Sequence, residues 1–253
     1  MRPVFCCMLS VCLPLFVFCA ETYQSNGFCA AVSVQGVWEA LTWKGHSLLE
    51  RSSLHGSCIL MEENGKKRKS KLFMDRNSHS KIHKENNQMS VRTWGCLKTP
   101  ENLELARYEI ESVFSQEAIF VKNRIVTSHE FLSHSYPFWW ELRIPENRMR
   151  GRGVRMISAN GLVNDRLLPE TFKKRIKMSL KSLFLAYPEI VIQFQGRDNA
   201  TVRFEDNRNW AKNVFHIMIH PKSMWYNTAR KIPAGTVWEW SFTLTVYIPS
   251  EES

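Results

Sequence analysis

The clearest pattern of apolar and polar positions lies near the C-terminal end of the chain. Large apolar side chains there occupy every second position: Trp238, Trp240, Phe242, Leu244, Val246 and Ile248. The positions between them carry polar groups: Glu239, Ser241, Thr243, Thr245 and Tyr247. Strict alternation over this length predicts a β-strand with one face on a core and the other on water.

Shorter stretches with the same period of two predict further strands at 118–127, 138–144, 154–158, 189–195, 201–205 and 213–220. In 138–144 the apolar side is formed by Phe138, Trp140, Leu142 and Ile144. An Arg- and Gly-rich turn connects this strand to 154–158, so the two are predicted to form a hairpin. Residues 196–199 are predicted to be a turn.

Two segments show a helical period. The first begins at Thr99-Pro100-Glu101, a typical helix start, and places five apolar residues on one face: Leu103, Ala106, Ile110, Val113 and Phe114. The second begins at Pro169-Glu170, with the stripe Phe172, Ile176, Leu180, Leu183 and Tyr187. We therefore predict that residues 91–253 form an α+β domain, a mostly antiparallel sheet with two helices packed on one face.

The first 90 residues lack such patterns. Val4–Phe18 is an uncharged, mostly apolar run, which predicts a signal peptide or apolar leader at residues 1–20; a short membrane anchor and an incidental apolar N-terminus are the alternatives. Residues 62–90 have almost no aliphatic side chains, so 21–90 is predicted to be a poorly structured basic segment and linker. No transmembrane span is predicted beyond the leader.

The formal net charge of +10 favours an acidic protein or a polyanion as partner, nucleic acid included. The candidate contact surface joins the Arg-rich turn to the polar face of the second predicted helix. Its members are Arg148, Arg150, Arg152, Arg155, Lys173, Lys174, Lys177 and Lys181. Arginine binds phosphate and carboxylate through two parallel hydrogen bonds, and the neighbouring glycines let an anion approach the backbone. The alternative is a solvated turn and an ordinary surface helix.

The compartment is predicted from three features that disagree. The leader and the sequon at Asn199 favour a secreted or ER-lumen glycoprotein. The cysteines outside the leader, Cys29, Cys58 and Cys96, are odd in number, and none follows Cys96. The basic run Lys66–Lys71 resembles a nuclear localisation patch, a prohormone cleavage signal or a charged linker, so a nuclear or cytoplasmic protein is the alternative.

No catalytic motif, cofactor motif, small-molecule substrate or metal site is predicted. His216 and His220 share a strand face but are about 13 Å apart along the strand, too far for one zinc ion. Ser128-His129-Glu130 cannot form a triad because adjacent side chains diverge. Glu205-Asp206 is interpreted as a solvated pair in a turn, and Cys96 as a half-buried structural thiol.

These features predict a non-enzymatic interaction domain, secreted or membrane-associated, that binds an acidic partner through the basic surface. The second hypothesis is an intracellular or nuclear protein that uses the same surface on nucleic acid or in a protein assembly. An enzyme with an unrecognised site is the third.

Overall fold

The computed structural model of the protein describes residues 21–25, 27–62, 64–85, 88–133, 137–170, 177–187, 189–206, 208, 214–222 and 228–248. These ranges contain 21 strands and one short helix, α1 (Glu146–Met149). The first seven strands are β1 (Glu21–Ser25), β2 (Phe28–Val32), β3 (Trp38–Trp43), β4 (His46–Leu49), β5 (Arg51–Met61), β6 (Lys67–Met74) and β7 (His79–Glu85). The next seven are β8 (Gln88–Lys98), β9 (Glu104–Phe114), β10 (Ala118–Thr127), β11 (Phe131–Ser133), β12 (Phe138–Pro145), β13 (Gly153–Ile157) and β14 (Val163–Leu167). The last seven are β15 (Lys177–Leu180), β16 (Ser182–Ala186), β17 (Val191–Arg197), β18 (Ala200–Asp206), β19 (Val214–Pro221), β20 (Arg230–Ile232) and β21 (Val237–Tyr247).

The strands form two antiparallel sheets. Sheet B is a continuous series in the order β14, β13, β16, β17, β21, β10, β9, β8 and β7. Sheet A begins with β1, β2 and β3, reaches β5, and continues through β12, β19, β18 and β15. β6 joins the sheets, because it pairs with β5 at one end and with β8 at the other.

The inner faces of the two sheets enclose one apolar core. The Trp140 ring of sheet A lies 6.0 Å from the Phe242 ring of sheet B, measured between centroids. Phe138 and Trp238 make a similar contact at 5.3 Å, with their planes inclined by 63°. Aromatic pairs in such tilted geometry stabilise the packing beyond the apolar area they bury. The molecule is therefore a large β-sandwich.

The predicted α+β fold is wrong. The first predicted helix is β9, which pairs with β8 and β10 along its whole length. Tyr108, Ile110 and Phe114 are buried, whereas Leu103, which a helix would have buried, is 49% exposed. The apolar residues of this segment fit a helical period and a strand period about equally well. Pairing with two strands that neighbour it in the sheet makes the segment a strand.

The second predicted helix is also wrong where the structure describes it. Residues 177–180 and 182–186 form β15 and β16, and residues 171–176 lie outside the described ranges. The two strands belong to different sheets, and the chain changes sheet at Lys181, whose N–H donates to the Ile157 carbonyl at 2.8 Å. The break between the two short strands shifts the alternation of apolar and polar residues by one position. The resulting spacing of apolar residues resembles the apolar stripe of a helix.

Several predicted strands are confirmed. The strand at 118–127 has the same bounds as β10, and those at 138–144 and 201–205 lie within β12 and β18. The strand predicted at 213–220 overlaps β19, with residue 213 outside the described residues. The strands at 154–158 and 189–195 overlap β13 and β17, and the C-terminal strand overlaps β21. The hairpin of 138–144 with 154–158 is wrong, because β12 lies in sheet A and β13 in sheet B.

The segment 21–90 differs from the predicted linker, since it contains β1–β7 and the start of β8. The predicted boundary near residues 88–93 falls inside β8. Lys67, Lys69 and Lys71 are exposed on β6, and β7 is an edge strand of sheet B. Charged residues are common on such strands because they hinder pairing with other chains, which explains the disorder-like composition. The predicted leader at residues 1–20 lies outside the described residues. Among the described residues, no helix is long and apolar enough to cross a membrane.

Candidate functional site

The outward face of sheet A carries polar side chains that are largely buried. They project from alternate positions of β5, β12, β19 and β18, on the side opposite to the core. We call this set the polar face of sheet A. Its members are Ser53, His55, Trp139, Glu141, Arg143, Arg203, Glu205, His216, Met218 and His220.

The strand register brings these side chains together. Trp139 of β12 lies opposite His55 of β5. Glu141, two residues further along, lies between Ser53 on one side and Met218 of β19 on the other. Directly opposed residues of antiparallel strands have Cβ atoms about 5 Å apart, so alternate positions of neighbouring strands form one continuous patch.

Glu141 lies at the centre of this patch. Its Oε1 accepts a hydrogen bond from Nε of Arg143 at 2.9 Å and lies 3.9 Å from Nε2 of His55. Its Oε2 accepts a hydrogen bond from Nε1 of Trp139 at 3.4 Å. Burial alone would raise the pKa of the Glu141 carboxyl, but His55, His216 and Arg143 together hold that pKa below its ordinary value. The group is therefore an anion at neutral pH, able to accept hydrogen bonds or a proton.

Two histidines on the β5 and β19 sides of Glu141 are neutral at the same pH. Burial lowers the pKa of His55 and of His216, although the Glu141 carboxylate opposes the shift in both. The Nε2 of His55 lies 2.8 Å from Oγ of Ser53. The Nε2 of His216 is buried and has no hydrogen-bond partner among the described residues. A neutral imidazole offers one donor and one acceptor, so this nitrogen is a buried hydrogen-bonding group that the described residues leave unused.

The far side of the patch contains a buried ion pair. Nε of Arg203 lies 2.5 Å from Oε1 of Glu205, with both side chains 2% exposed, in an alignment that gives ionic contact rather than a well-formed hydrogen bond. His220 follows on β19, where burial lowers its pKa and its Nδ1 lies 3.0 Å from the Pro221 carbonyl oxygen.

The burial of so many ionisable groups is costly for folding. Well-packed apolar residues of similar volume often stabilise a protein as much as a buried ion pair does. Clusters of titratable side chains with shifted pKa values are typical of functional sites, where charge is used on a ligand. The exposed edge of the patch is formed by Trp139, His55 and Arg143, the three residues that contact Glu141.

A buried arginine fixes the chain beside this site. Arg208 donates from Nε and Nη2 to the two carboxylate oxygens of Asp206, each at 2.9 Å. Its Nη1 bonds Glu146 of α1 at 2.9 Å and the Glu170 carbonyl at 3.0 Å, and its Nη2 bonds the Pro169 carbonyl at 2.9 Å. All five guanidinium N–H groups are therefore used, and the end of β18 is tied to the segments at 146 and 169–170.

The arginines predicted from sequence lie elsewhere. Arg148 is exposed in α1, and Arg152 is exposed in the segment that follows it. Nη2 of Arg150 lies 3.3 Å from Oε1 of Glu146. Arg155 of β13 binds Asp165 through two hydrogen bonds of 2.8 and 2.9 Å. Two of the four are thus already paired with carboxylates, and none belongs to the polar face of sheet A.

The lysines predicted with them are placed only in part. Lys173 and Lys174 lie outside the described residues, Lys177 begins β15, and Lys181 is exposed between β15 and β16. Anion binding at these residues stays a prediction. Asn199 is exposed in the two-residue turn Asp198–Asn199, within the predicted turn 196–199, and its glycosylation also stays untested.

Other sequence candidates have structural roles. Oγ of Ser128 donates to Glu104 at 2.7 Å, and Nδ1 of His129 lies 2.8 Å from the Glu104 carbonyl oxygen, so both residues contact Glu104. Burial raises the pKa of Cys96 to about 11, which disfavours the reactive thiolate. The interpretation of Glu205 and Asp206 as a solvated turn is wrong, because both lie in β18 and are buried. No cluster of three His, Cys, Asp or Glu placed to hold a metal occurs in the described part of the chain.

Comparison with solved structures shows which known fold this is. A galactose mutarotase-like protein from Clostridium acetobutylicum superposes with a TM-score of 0.58, over 90% of this chain and 95% of its own, at 9% identity. A galactose mutarotase related enzyme from Lactobacillus acidophilus superposes with a TM-score of 0.55, over 92% of this chain and 99% of its own, at 10% identity. A putative aldose 1-epimerase from Escherichia coli K12 superposes with a TM-score of 0.52, over 91% of this chain and 99% of its own, at 10% identity. The chain has the galactose mutarotase-like fold.

That fold corrects the function predicted from composition. The neighbours are galactose mutarotase-like and aldose epimerase proteins with the same fold, which overturns the prediction of a non-enzymatic α+β domain that binds through a basic surface. The predicted acidic or nucleic-acid partners stay a prediction. Neither the fold nor the neighbours support the expected signal peptide or glycan. No protein-family model matches the chain, and no curated protein matches it.

Most residues of the polar face lie in segments that the sequence predicts as strands, but the sequence does not show that they form one site. Trp139, Glu141 and Arg143 alternate with the predicted core residues of 138–144, and His216 and His220 alternate within 213–220. Amphipathic strands commonly face solvent on one side, so the alternation by itself did not indicate a site at these positions. The usable signal was the concentration of His, Arg and Glu at alternate positions of three predicted strands.

Proposed function

We propose that the protein binds an aldose sugar on the polar face of sheet A. The observation that carries this proposal is Trp139, a half-buried indole that is stacked on His55 and hydrogen-bonded to Glu141. A sugar ring has apolar C–H groups on its faces and hydroxyl groups around its edge. An aromatic surface beside buried donors and acceptors suits both parts of such a ligand.

The polar groups around Trp139 suit hydroxyls in particular. A hydroxyl both donates and accepts a hydrogen bond. The Glu141 carboxylate accepts hydrogen bonds, and the Arg143 guanidinium donates them. A neutral His216 donates a hydrogen bond from one ring nitrogen and accepts one at the other. Among the described residues the Arg143 side chain bonds Glu141 through Nε, and it is 41% exposed, so further guanidinium N–H groups can donate to a ligand. The mixture favours a neutral polyol over a simple anion.

The structural neighbours support the same class of ligand. Two of those described above are a galactose mutarotase-like protein and a putative aldose 1-epimerase. The likeness extends over nine-tenths of this chain, and at 9 and 10% identity it supports a shared architecture. The residues of the face favour a polyol, and the choice of an aldose follows from the names of these neighbours.

Interconversion of the two anomers of the sugar is the second candidate function. In that reaction a base removes the proton from the C1 hydroxyl, the bond between C1 and the ring oxygen breaks, and an acid protonates the ring oxygen. Rotation about C1–C2 and reversal of these steps give the other anomer and restore both groups. Glu141, ionised and central, suits the base. His55 or His216 suits the acid in its protonated imidazolium form, which the lowered pKa values restrict to mildly acidic solution.

Calorimetric titration of the purified full chain with galactose, glucose and xylose tests binding, and polarimetry of freshly dissolved α-galactose and α-glucose tests interconversion. We expect saturable binding of at least one aldose. Anomer interconversion faster than in buffer would add the second function, and binding without acceleration would leave a sugar-binding protein. Absence of both binding and acceleration would overturn the proposal.

The variant Glu141→Gln separates the roles of the face. It keeps the shape of the side chain and removes the base, so any catalysed rate should fall by about 100-fold or more. The matched control is Glu117→Gln, since Glu117 is exposed in the turn before β10 and contributes only its backbone carbonyl to Val246. Equal rates for the two variants would exclude Glu141 as the base.

A further inference from the structure

A second groove, of about 730 Å³, lies on the outer face of sheet B. It crosses β7, β8, β9 and β10, on the opposite side of the sandwich from the polar face of sheet A. Nothing in the proposed function uses it. Among its lining residues are Trp94, His79, Arg92, Glu109 and Arg124.

One row of side chains runs across this groove from strand to strand. The register places His79 opposite Trp94, Trp94 opposite Glu109, Glu109 opposite Arg124 and Arg124 opposite Glu239. Trp94 is 40% exposed, and its ring centroid lies 5.8 Å from that of His79, with the planes inclined by 31°. The row therefore begins with two exposed aromatic rings and continues with alternating acceptors and donors.

Two arginines of the groove, Arg92 and Arg124, are held in ion pairs. Nη2 of Arg92 lies 2.8 Å from Oε1 of Glu109, and Nε of Arg124 donates to Oε1 of Glu239 at 3.0 Å. Each pair orients its members and leaves further guanidinium N–H groups and carboxylate lone pairs open to a ligand. An anion would meet Glu109 as well as the arginines, whereas a hydroxyl can donate to one member of a pair and accept from the other.

The floor beside Trp94 is closely packed and buried. Oγ of Ser78 and the hydroxyl of Tyr108 are 2.7 Å apart beneath Gly95, and burial raises the pKa of Tyr108. A Cβ at residue 95 would collide with Oγ of Ser78. The missing side chain at Gly95 therefore lets this hydrogen bond approach β8, and it gives the groove a rigid base next to the exposed indole.

We propose that this groove is a second carbohydrate site, which binds a neutral oligosaccharide with one pyranose ring on Trp94. The indole packs against the C–H face of that ring, and the pairs Arg92–Glu109 and Arg124–Glu239 bind the hydroxyls of that unit and the next. The exposed aromatic ring and the row of alternating donors and acceptors across four strands favour an extended neutral chain over an anion. The site is independent of the aldose site, since the two lie on opposite sheets.

A glycan array of neutral, uronic and sulfated oligosaccharides tests this site, with the wild-type chain and the variants Trp94→Ala, Trp94→Phe and Trp139→Ala. Phe120→Ala is the matched control, because Phe120 is an exposed aromatic of β10 that does not line the groove. Hits are titrated by calorimetry in 50 and 500 mM NaCl.

We expect at least one neutral oligosaccharide whose affinity falls about tenfold or more in Trp94→Ala, falls less in Trp94→Phe, and is unchanged in Trp139→Ala and Phe120→Ala. Its affinity should differ little between the two salt concentrations. The proposal is overturned if every neutral glycan that binds is lost in Trp139→Ala and kept in Trp94→Ala, a result that would leave the aldose site intact. Binding restricted to anionic glycans and weakened by salt, or no binding at all, would also overturn it.

Discussion

The indole of Trp139 lies nearly parallel to the imidazole of His55, with ring centroids 5.7 Å apart and planes inclined by 14°. The two residues are opposed across β12 and β5, and the indole Nε1 also donates to Glu141. The register of the two strands therefore fixes an aromatic ring beside a buried carboxylate. This pairing of a flat apolar surface with an oriented acceptor is the main structural support for the proposed binding of a sugar.

Replacement of Trp139 by Ala should weaken aldose binding by about tenfold or more, because large aromatic residues commonly account for most of the affinity at their sites. Trp139→Phe should lose less, since it keeps an aromatic face and loses only the hydrogen bond to Glu141. Calorimetric titration with the best-binding aldose measures both. Phe120→Ala removes an exposed aromatic of sheet B and serves as control. Unchanged affinity in Trp139→Ala would mean that the sugar binds away from this ring.

The buried histidines of the polar face should make the protein sensitive to mild acid. The pKa values of His55, His216 and His220 are lowered, in each case chiefly by burial, from an unfolded value of about 6.5. The unfolded chain therefore takes up protons at a pH where the folded one does not. Stability should be full above about pH 7 and should fall as the pH drops through 6.5 toward the lowered folded values.

Urea unfolding at pH 7.5, 6.5 and 5.5 measures this effect. The wild-type midpoint should decrease with each step, and His216→Gln and His220→Gln should each show a shallower decrease, since a titrating group has been removed. The lowered pKa of Glu141 adds a separate loss only below its unfolded value of about 4.5. Parallel curves for the wild type and both variants would contradict the role of these imidazoles.

Much of the strand content could be predicted from the sequence, because period-two alternation is a local property. The bounds of β10 and the core side of β12 were obtained in this way, with Phe138, Trp140, Leu142 and Ile144 all buried. β9 was missed because its Glu, Arg and Ala residues are good helix formers and its partners are distant in sequence. The assignment of β12 and β13 to different sheets depends on long-range pairing that no local pattern contains.

The candidate site could not be assembled from the sequence for a related reason. Trp139 and Glu141 are adjacent alternate positions of one strand, but His55 is more than 80 residues away and His216 more than 70. Only the order β5, β12, β19 and β18 places them on one face. The role of Arg208 could not be predicted, because nothing in the sequence around a single arginine outside any periodic segment indicates that all of its N–H groups are buried and hydrogen-bonded.

Arg208 should be among the residues most important for stability. Removal of one partner from a buried, hydrogen-bonded ion pair typically costs about 3–5 kcal/mol, and Arg208→Ala would leave the Asp206 carboxylate, which is fully buried, without its two hydrogen bonds. Arg208→Lys should recover only part of the loss, since an ammonium cannot reproduce the planar fork. Urea unfolding measures both variants against Arg197→Lys, an exposed arginine with one hydrogen bond to Thr243. A loss below about 1 kcal/mol in Arg208→Ala would contradict this view of the network.

Asn123 should be replaceable by an apolar residue with a gain in stability. It lies on the inner face of sheet B, fully buried, opposite Ile110 and Trp240. Neither atom of its amide group, nor Nε1 of Trp240, has a hydrogen-bond partner in the described part of the chain. A buried polar group without a partner costs about 1–3 kcal/mol, so Asn123→Leu, which keeps the number and branching of side-chain heavy atoms, should raise the free energy of unfolding by about 1 kcal/mol or more. Asn123→Ala is the comparison, because it removes the amide but leaves a cavity and should not stabilise. If Asn123→Leu is less stable than the wild type, the amide has a bonding role in the core and this reading of the inner face of sheet B is wrong.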